Sequence, residues 1–210
     1  MLEIATIPIS TRRESGLSLV ELIVSMAIAL IILGVAVTVF STAMGRRTRE
    51  SSRTDAITSA QAALNIMSRE IGNAGYGLND NGIVGDSTAT MLHIRANIVN
   101  NAGNSATSDP GEDIVYYLDG SAGDQSVVRH DNNTGETSGI INRISSVSFE
   151  YHNYVNPPNT LPVGPGPDTG RITITLTVIL EDVQGQPTGQ TVRVSSDVTL
   201  RNSQYMRGQY

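Results

Sequence analysis

Cysteine, tryptophan and lysine are all missing from this chain of 210 residues, and its fourteen basic residues are all arginine. The lack of cysteine excludes disulfide frameworks, thiolate metal sites and thiol nucleophiles together. Aromatic residues are few, two Phe and seven Tyr, and only 39% of the chain is hydrophobic. Much of that apolar content is concentrated in one early run, which leaves a modest Ser/Thr/Asn/Gly-rich remainder of about one domain's length. The formal net charge is -6. A mildly acidic chain with no basic cluster in its folded part argues against nucleic acid as a partner.

The early run, Leu22 to Met44, contains no charged residue. As a helix it would be about 35 Å long, enough to cross the hydrocarbon core of a bilayer. Ser25, Thr38, Ser41 and Thr42 are tolerable there because a helix satisfies its own backbone. The rest of the chain is not apolar enough to enclose such a helix, and the run is too long for the core of a cleaved secretory signal. Ser41-Thr42-Ala43 nevertheless has the small-x-small form of an ordinary signal peptidase site. Charge bias points the other way again. Arg12 and Arg13 precede the run, but Arg46, Arg47, Arg49 and Arg53 follow it, so a simple count would leave the C-terminal part in the cytoplasm.

Immediately before the run stands Arg12-Arg13-Glu14-Ser15-Gly16-Leu17-Ser18-Leu19-Val20-Glu21-Leu22. This resembles the type III signal of type IV prepilins: a polar leader ending in Gly, an apolar residue, and a Glu four positions further on. The resemblance implies that a membrane prepilin peptidase cuts between Gly16 and Leu17 and methylates the new amino group. Leu17 departs from the Phe usual at the first mature position. A carboxylate in a membrane segment costs a few kcal/mol, less near the end, and usually has a partner. Cleavage after Gly16 would create an amine four residues from Glu21, able to pair with Glu21 of a neighbouring subunit in a filament. The alternative is a Glu21 that sits at the interface and reaches water.

Beyond Arg53, Ile57, Ala60, Leu64, Met67 and Ile71 recur at steps of three and four, one stripe of an amphipathic helix. Ser59, Asn65 and Arg69 fall off that stripe, and Gly72 with Gly75-Tyr76-Gly77 supplies a stop. Alternating β-branched residues predict strands at 171–181 and 192–200, joined as a hairpin through Gly185-Gln186-Pro187 and Gly189. Further strands are predicted at 90–95, 113–118, 126–130 and 140–153, with a turn at Asp131-Asn132-Asn133-Thr134-Gly135. One face of the resulting sheet would cover the helix stripe. The expected class is α+β and pilin-like: a long N-terminal helix, membrane-spanning in its first half, packed on an antiparallel β-sheet head domain. Its segments would be a leader at 1–16, a transmembrane and filament-core helix at 17–44, an amphipathic continuation at 45–73, and a head at 74–210.

Ala62-Ala63-Leu64, Arg69-Glu70-Ile71, Ala74-Gly75-Tyr76-Gly77 and Val198-Thr199-Leu200-Arg201-Asn202 are similar to PilW-like minor pilins, and in outline to J-type minor pseudopilins of type II secretion. The missing C-terminal disulfide pair, and Gly34 in place of a mid-segment proline, favour a minor subunit. The resemblance implies a structural protein that helps initiate or cap a type IV pilus, working with prepilin peptidase, other major and minor pilins and the inner-membrane assembly platform. It would sit in the inner membrane with a periplasmic head, then on the cell surface. A minor pseudopilin and a signal-anchored periplasmic binding or adhesive domain are the rivals. No catalytic constellation, phosphate loop or cofactor motif stands out. His93, His130 and His152 fall on different predicted strands without ligand-like spacing, and are expected on strand surfaces. Asn79-Asp80-Asn81-Gly82, Asp86, Asp109 and Glu112-Asp113 lie in oxygen-rich loops expected to serve turn chemistry rather than calcium. Asn156 to Gly170, with five prolines, is expected to be a long exposed loop.

Overall fold

The computed structural model describes residues 18–99, 105–120, 125–153, 163–183 and 187–208. The chain divides into two compact units, with the boundary between Arg46 and Arg47. A single helix, α1 (Leu19–Gly72, 54 residues), begins in the first unit and ends in the second. In the first unit every described residue from Ser18 to Met44 is exposed. Three of its four internal hydroxyls bond back to the turn before them: Ser25 Oγ donates to the Glu21 carbonyl at 2.7 Å, Thr38 Oγ1 to Gly34 at 2.8 Å and Thr42 Oγ1 to Thr38 at 2.9 Å. These side chains therefore present no unmet donor to an apolar surrounding.

The second unit holds seven strands. β1 (Met91–Arg95), β2 (Asp113–Asp119), β3 (Ser126–Asp131) and β4 (Thr137–Asn142) form a four-stranded antiparallel sheet in that order. β5 (Ile144–Asn153), β6 (Thr169–Ile179) and β7 (Thr191–Thr199) form a second, three-stranded antiparallel sheet. The alternation in the β6 sequence becomes alternation of faces: Ile172, Ile174, Leu176 and Val178 are buried while the threonines between them are half-buried. Register follows the same rule, setting Phe149 opposite Ile174, Val147 opposite Leu176 and Tyr151 opposite Ile172. Residues 200–208 end in a single turn, α2 (Gln204–Arg207), capped by the Ser203 side chain.

Ala60, Ala63, Leu64, Met67 and Ile71 of α1 are buried, and Ser59, Asn65 and Arg69 are exposed, as the stripe requires. Ile57 is only half-buried, and Ala63 joins the stripe from the adjoining helical position. These side chains share one core with Leu92, Ile114, Tyr116 and Val127 of the first sheet and Phe149, Ile174, Leu176 and Val198 of the second. Burying each Leu-, Ile- or Met-sized group contributes about 1.5–3 kcal/mol, an upper value because the unfolded chain hides some of the same surface. The helix ends where its carbonyls find new donors: Arg201 N donates to Gly72 O at 3.1 Å, and Asn202 Nδ2 to Ala74 O at 3.0 Å. Gly75 at φ 76 then turns the chain away.

The continuous strand expected at 140–153 is two strands. Arg143 takes φ 60, a left-handed conformation unusual for a residue with a Cβ. That single residue turns the chain, so β4 pairs with β3 in one sheet and β5 with β6 in the other. The one covering sheet is accordingly two. The turn at Asp131–Gly135 does form, with Gly135 N donating to Asp131 O at 2.8 Å and Asn133 N to Asp131 Oδ1 at 3.0 Å.

Two loop expectations are also corrected. Of the proline-rich stretch, residues 154–162 lie outside the described residues, but 163–170 are not a free loop. Val163 bridges to Tyr151, and Asn81 Nδ2 donates to the carbonyls of Gly166 at 2.8 Å and Thr169 at 2.9 Å. Asp80 and Asn81 do serve turn chemistry, accepting from Gly82 N and Ile83 N. Glu112 and Asp113, by contrast, are buried, and Asp113 opens β2.

Candidate functional site

The N-terminal end of α1 presents Glu21 in the first helical turn, where Leu22 N donates to Ser18 O at 3.0 Å. Gly16 and Leu17 lie outside the described residues. At Glu21 the unpaired amides of the first turn carry partial positive charge, which favours a carboxylate there by about 0.3–1 kcal/mol. The residue is exposed, and among the described residues no hydrogen bond or ion pair engages its carboxylate. Everything after it, through Met44, is uncharged and exposed. This is the arrangement of a helix whose surface is made to be covered by something other than its own chain. By length and composition α1 can cross a membrane, and none of its most apolar stretch is buried within the protein.

Residues 11–42 match the family described as the Prokaryotic N-terminal methylation motif. The chain carries a prepilin-type N-terminal motif. That motif supports placement in the type IV pilin-like superfamily, with processing by prepilin peptidase. With the exposed apolar helix behind it, it is consistent with membrane anchoring, and it points to a structural protein rather than an enzyme. Neither the curated proteins nor the solved structures contain a significant match to this chain.

Within the head, ionisable side chains cluster in two places. At the first, Glu70 of α1 is the shared acceptor: Arg129 Nε donates to its Oε2 at 2.9 Å, and the Tyr116 hydroxyl donates to the same oxygen. Tyr116 is fully buried. Burial, reinforced by the neighbouring Glu70 carboxylate, pushes the Tyr116 phenol well above its ordinary range. Burial alone would lower Arg129, but its bond to Glu70 and that carboxylate's charge reverse the direction and raise it. Glu70 thus pins α1 to β2 and β3 with a charge-assisted pair.

The second cluster corrects the expectation that the histidines are surface strand residues. His93 and His152 are buried. His93 Nδ1 meets Asp86 Oδ1 at 2.8 Å and its Nε2 meets Asp113 Oδ1 at 2.6 Å. Arg95 Nε and Asn132 Nδ2 also donate to Asp113, at 2.7 and 2.6 Å. Burial raises the Asp113 carboxyl, but the hydrogen bonds from Asn132, His93 and Arg95 outweigh it and hold the group below its usual range. His130 is half-buried on β3, with its Nδ1 2.8 Å from Thr137 Oγ1. The three histidines do not converge, and among the described residues no group of three or more His, Asp or Glu is placed to hold a metal ion.

Glu70 has a faint sequence signal: it adjoins Ile71 and follows Met67 by three, so it sits on the border of the buried stripe. Tyr116, Arg129 and Asp113 have none, since their partners come from elements distant in sequence.

Proposed function

We propose that this chain is a minor pilin that helps to initiate or cap a type IV pilus. The observation that carries the reading is the prepilin-type motif at residues 11–42, which takes in most of the uncharged, exposed stretch of α1 from Leu22 to Met44. Prepilin peptidase cuts between Gly16 and Leu17 and methylates the Leu17 amine. The mature helix packs against the helices of other major and minor pilins in the filament core, after extraction from the inner membrane by the assembly platform. The head stays in the periplasm until assembly carries it to the cell surface. The proposed segments are a leader at 1–16, a filament-core helix at 17–44, its amphipathic continuation at 45–73 and a head at 74–210.

Glu21 supplies the pairing group. A carboxylate in an apolar filament core is costly alone and tolerable beside a cation. The amine made at Leu17 of a neighbouring subunit is a cation of the right sign, created only by processing. The lack of cysteine in the head and of proline in the apolar run supports a minor subunit.

Glu21→Ala tests the pairing. The variant is expected to be cleaved normally and to stay in the membrane, while its share in sheared filaments falls about a hundredfold or more, as loss of a buried ion pair's partner implies. Equal recovery of the variant and the parent in filaments refutes the pairing role.

A further inference from the structure

Where the end of α1 meets the first sheet, the head carries a cleft of about 180 Å³. Ile94, Ala96 and Ile114 form an apolar wall, buried to at least nine-tenths. Ile98, which also lines the cleft, is 57% exposed, and Val99 beside it is 49% exposed. Three guanidinium groups line the same space, those of Arg69, Arg95 and Arg129. Arg95 is held through Nε by Asp113 and Arg129 through Nε by Glu70, and Arg129 also faces the Tyr116 hydroxyl and the Asp131 carboxylate. Among the described residues no side-chain hydrogen bond or ion pair engages Arg69, and Arg95 makes its one ion pair through Nε. The two carboxylates of the cleft are already committed: Glu70 to Tyr116 and Arg129, and Glu112 to the backbone amides of Val99 at 2.9 Å and Asp109 at 3.1 Å. Glu112, 1% exposed, thereby fixes the 98–99 segment as the outer wall.

We infer that this cleft is a docking site for an acidic segment of a partner protein, one that presents a carboxylate beside an apolar side chain. Three features select that occupant. The guanidinium fork of Arg69 matches a carboxylate, with geometry that a lysine would not provide. The lining's three guanidinium groups exceed its two carboxylates, Glu70 and Glu112, by one positive charge, carried by the exposed and unpaired Arg69, in a chain of net charge -6. The volume equals about six waters and is well below the 300 Å³ or more of small-molecule pockets, so it admits side chains rather than a whole ligand. Exposed Ile98 and Val99 extend the apolar contact outward for the residues that flank the inserted one. The site is independent of the N-terminal motif.

The test uses the full-length chain in detergent micelles and a fluorescein-labelled pentapeptide, Ala-Leu-Glu-Ile-Ala, followed by fluorescence anisotropy. The expected result is saturable binding that weakens as salt rises and falls about tenfold for the Ala-Leu-Gln-Ile-Ala peptide, in which only the charge is removed. Arg69→Ala and Ile98→Asp alter exposed side chains and are expected to leave the thermal midpoint unchanged while each reduces affinity at least severalfold. The inference is overturned if the Glu and Gln peptides bind alike, if neither variant changes affinity, or if no saturable binding occurs at millimolar peptide.

Discussion

Replacing Glu70 with alanine isolates the contact that ties the helix to the first sheet. Two donors converge on its Oε2, the hydroxyl of a fully buried Tyr116 and the Nε of Arg129. Removing the carboxylate leaves the Tyr116 hydroxyl buried without a partner, a loss of about 1–3 kcal/mol. It also leaves Arg129, whose side chain is 22% exposed, without its counter-charge. Water reaches that guanidinium, so its share is at most about 1 kcal/mol. The sum is about 1–4 kcal/mol. For a unit of this size each kcal/mol lowers the thermal midpoint by about 2–4 °C, which gives a drop of about 2–16 °C. Tyr116→Phe is the control. It removes the donor and leaves Glu70 still bonded to Arg129, so its cost is about 0.5–1.5 kcal/mol. Thermal unfolding in micelles, followed by far-ultraviolet circular dichroism and by tyrosine fluorescence in a chain without tryptophan, measures both. Glu70→Ala no more destabilising than Tyr116→Phe would refute the reasoning, because the orphaned hydroxyl would then carry no penalty.

The Asp113 network makes a pH prediction. Asp113 lies below its ordinary value of 3.8 in the folded state, so its contribution is present above about pH 4 and is lost as pH falls through the lower folded value. Asp113→Asn is therefore expected to lower the midpoint at neutral pH and to flatten its decline on acidification, as read from paired melts at about pH 7 and about pH 3. At Gly82, φ is 73 and an added Cβ would lie 2.1 Å from Gly75 N and 2.3 Å from Arg95 O. Gly82→Ala is expected to destabilise by about 2–5 kcal/mol, combining left-handed strain with backbone overlap. Gly85, with open space around its Cβ position, is expected to accept alanine within about 0.5 kcal/mol, both glycine variants being read by urea titration.

Features set by local pattern were legible from residues alone. The three-and-four spacing from Ile57 to Ile71 located the buried face of α1, and the threonine alternation at 172–178 located β6 and its inward side. The glycines after Gly72 marked the end of the helix because Gly75 does take a positive φ. What was missed depends on one residue's backbone or on partners distant in sequence. Nothing about Arg143 announces a left-handed turn, since arginine has no preference for it, yet that residue divides the β structure into two sheets. His93 reads as a strand-surface polar residue until Asp86 and Asp113, seven and twenty positions away, close on both ring nitrogens. The N-terminal motif at residues 11–42 was legible because it is linear and needs no partner distant in sequence.

The most direct measurement of the central claim is the intact mass and N-terminal sequence of the protein recovered from its native membrane. A mature chain that begins at Leu17 and carries one added methyl group is the predicted result. A chain that begins at Met1, or one cut after Ala43 and released from the membrane, would contradict the account.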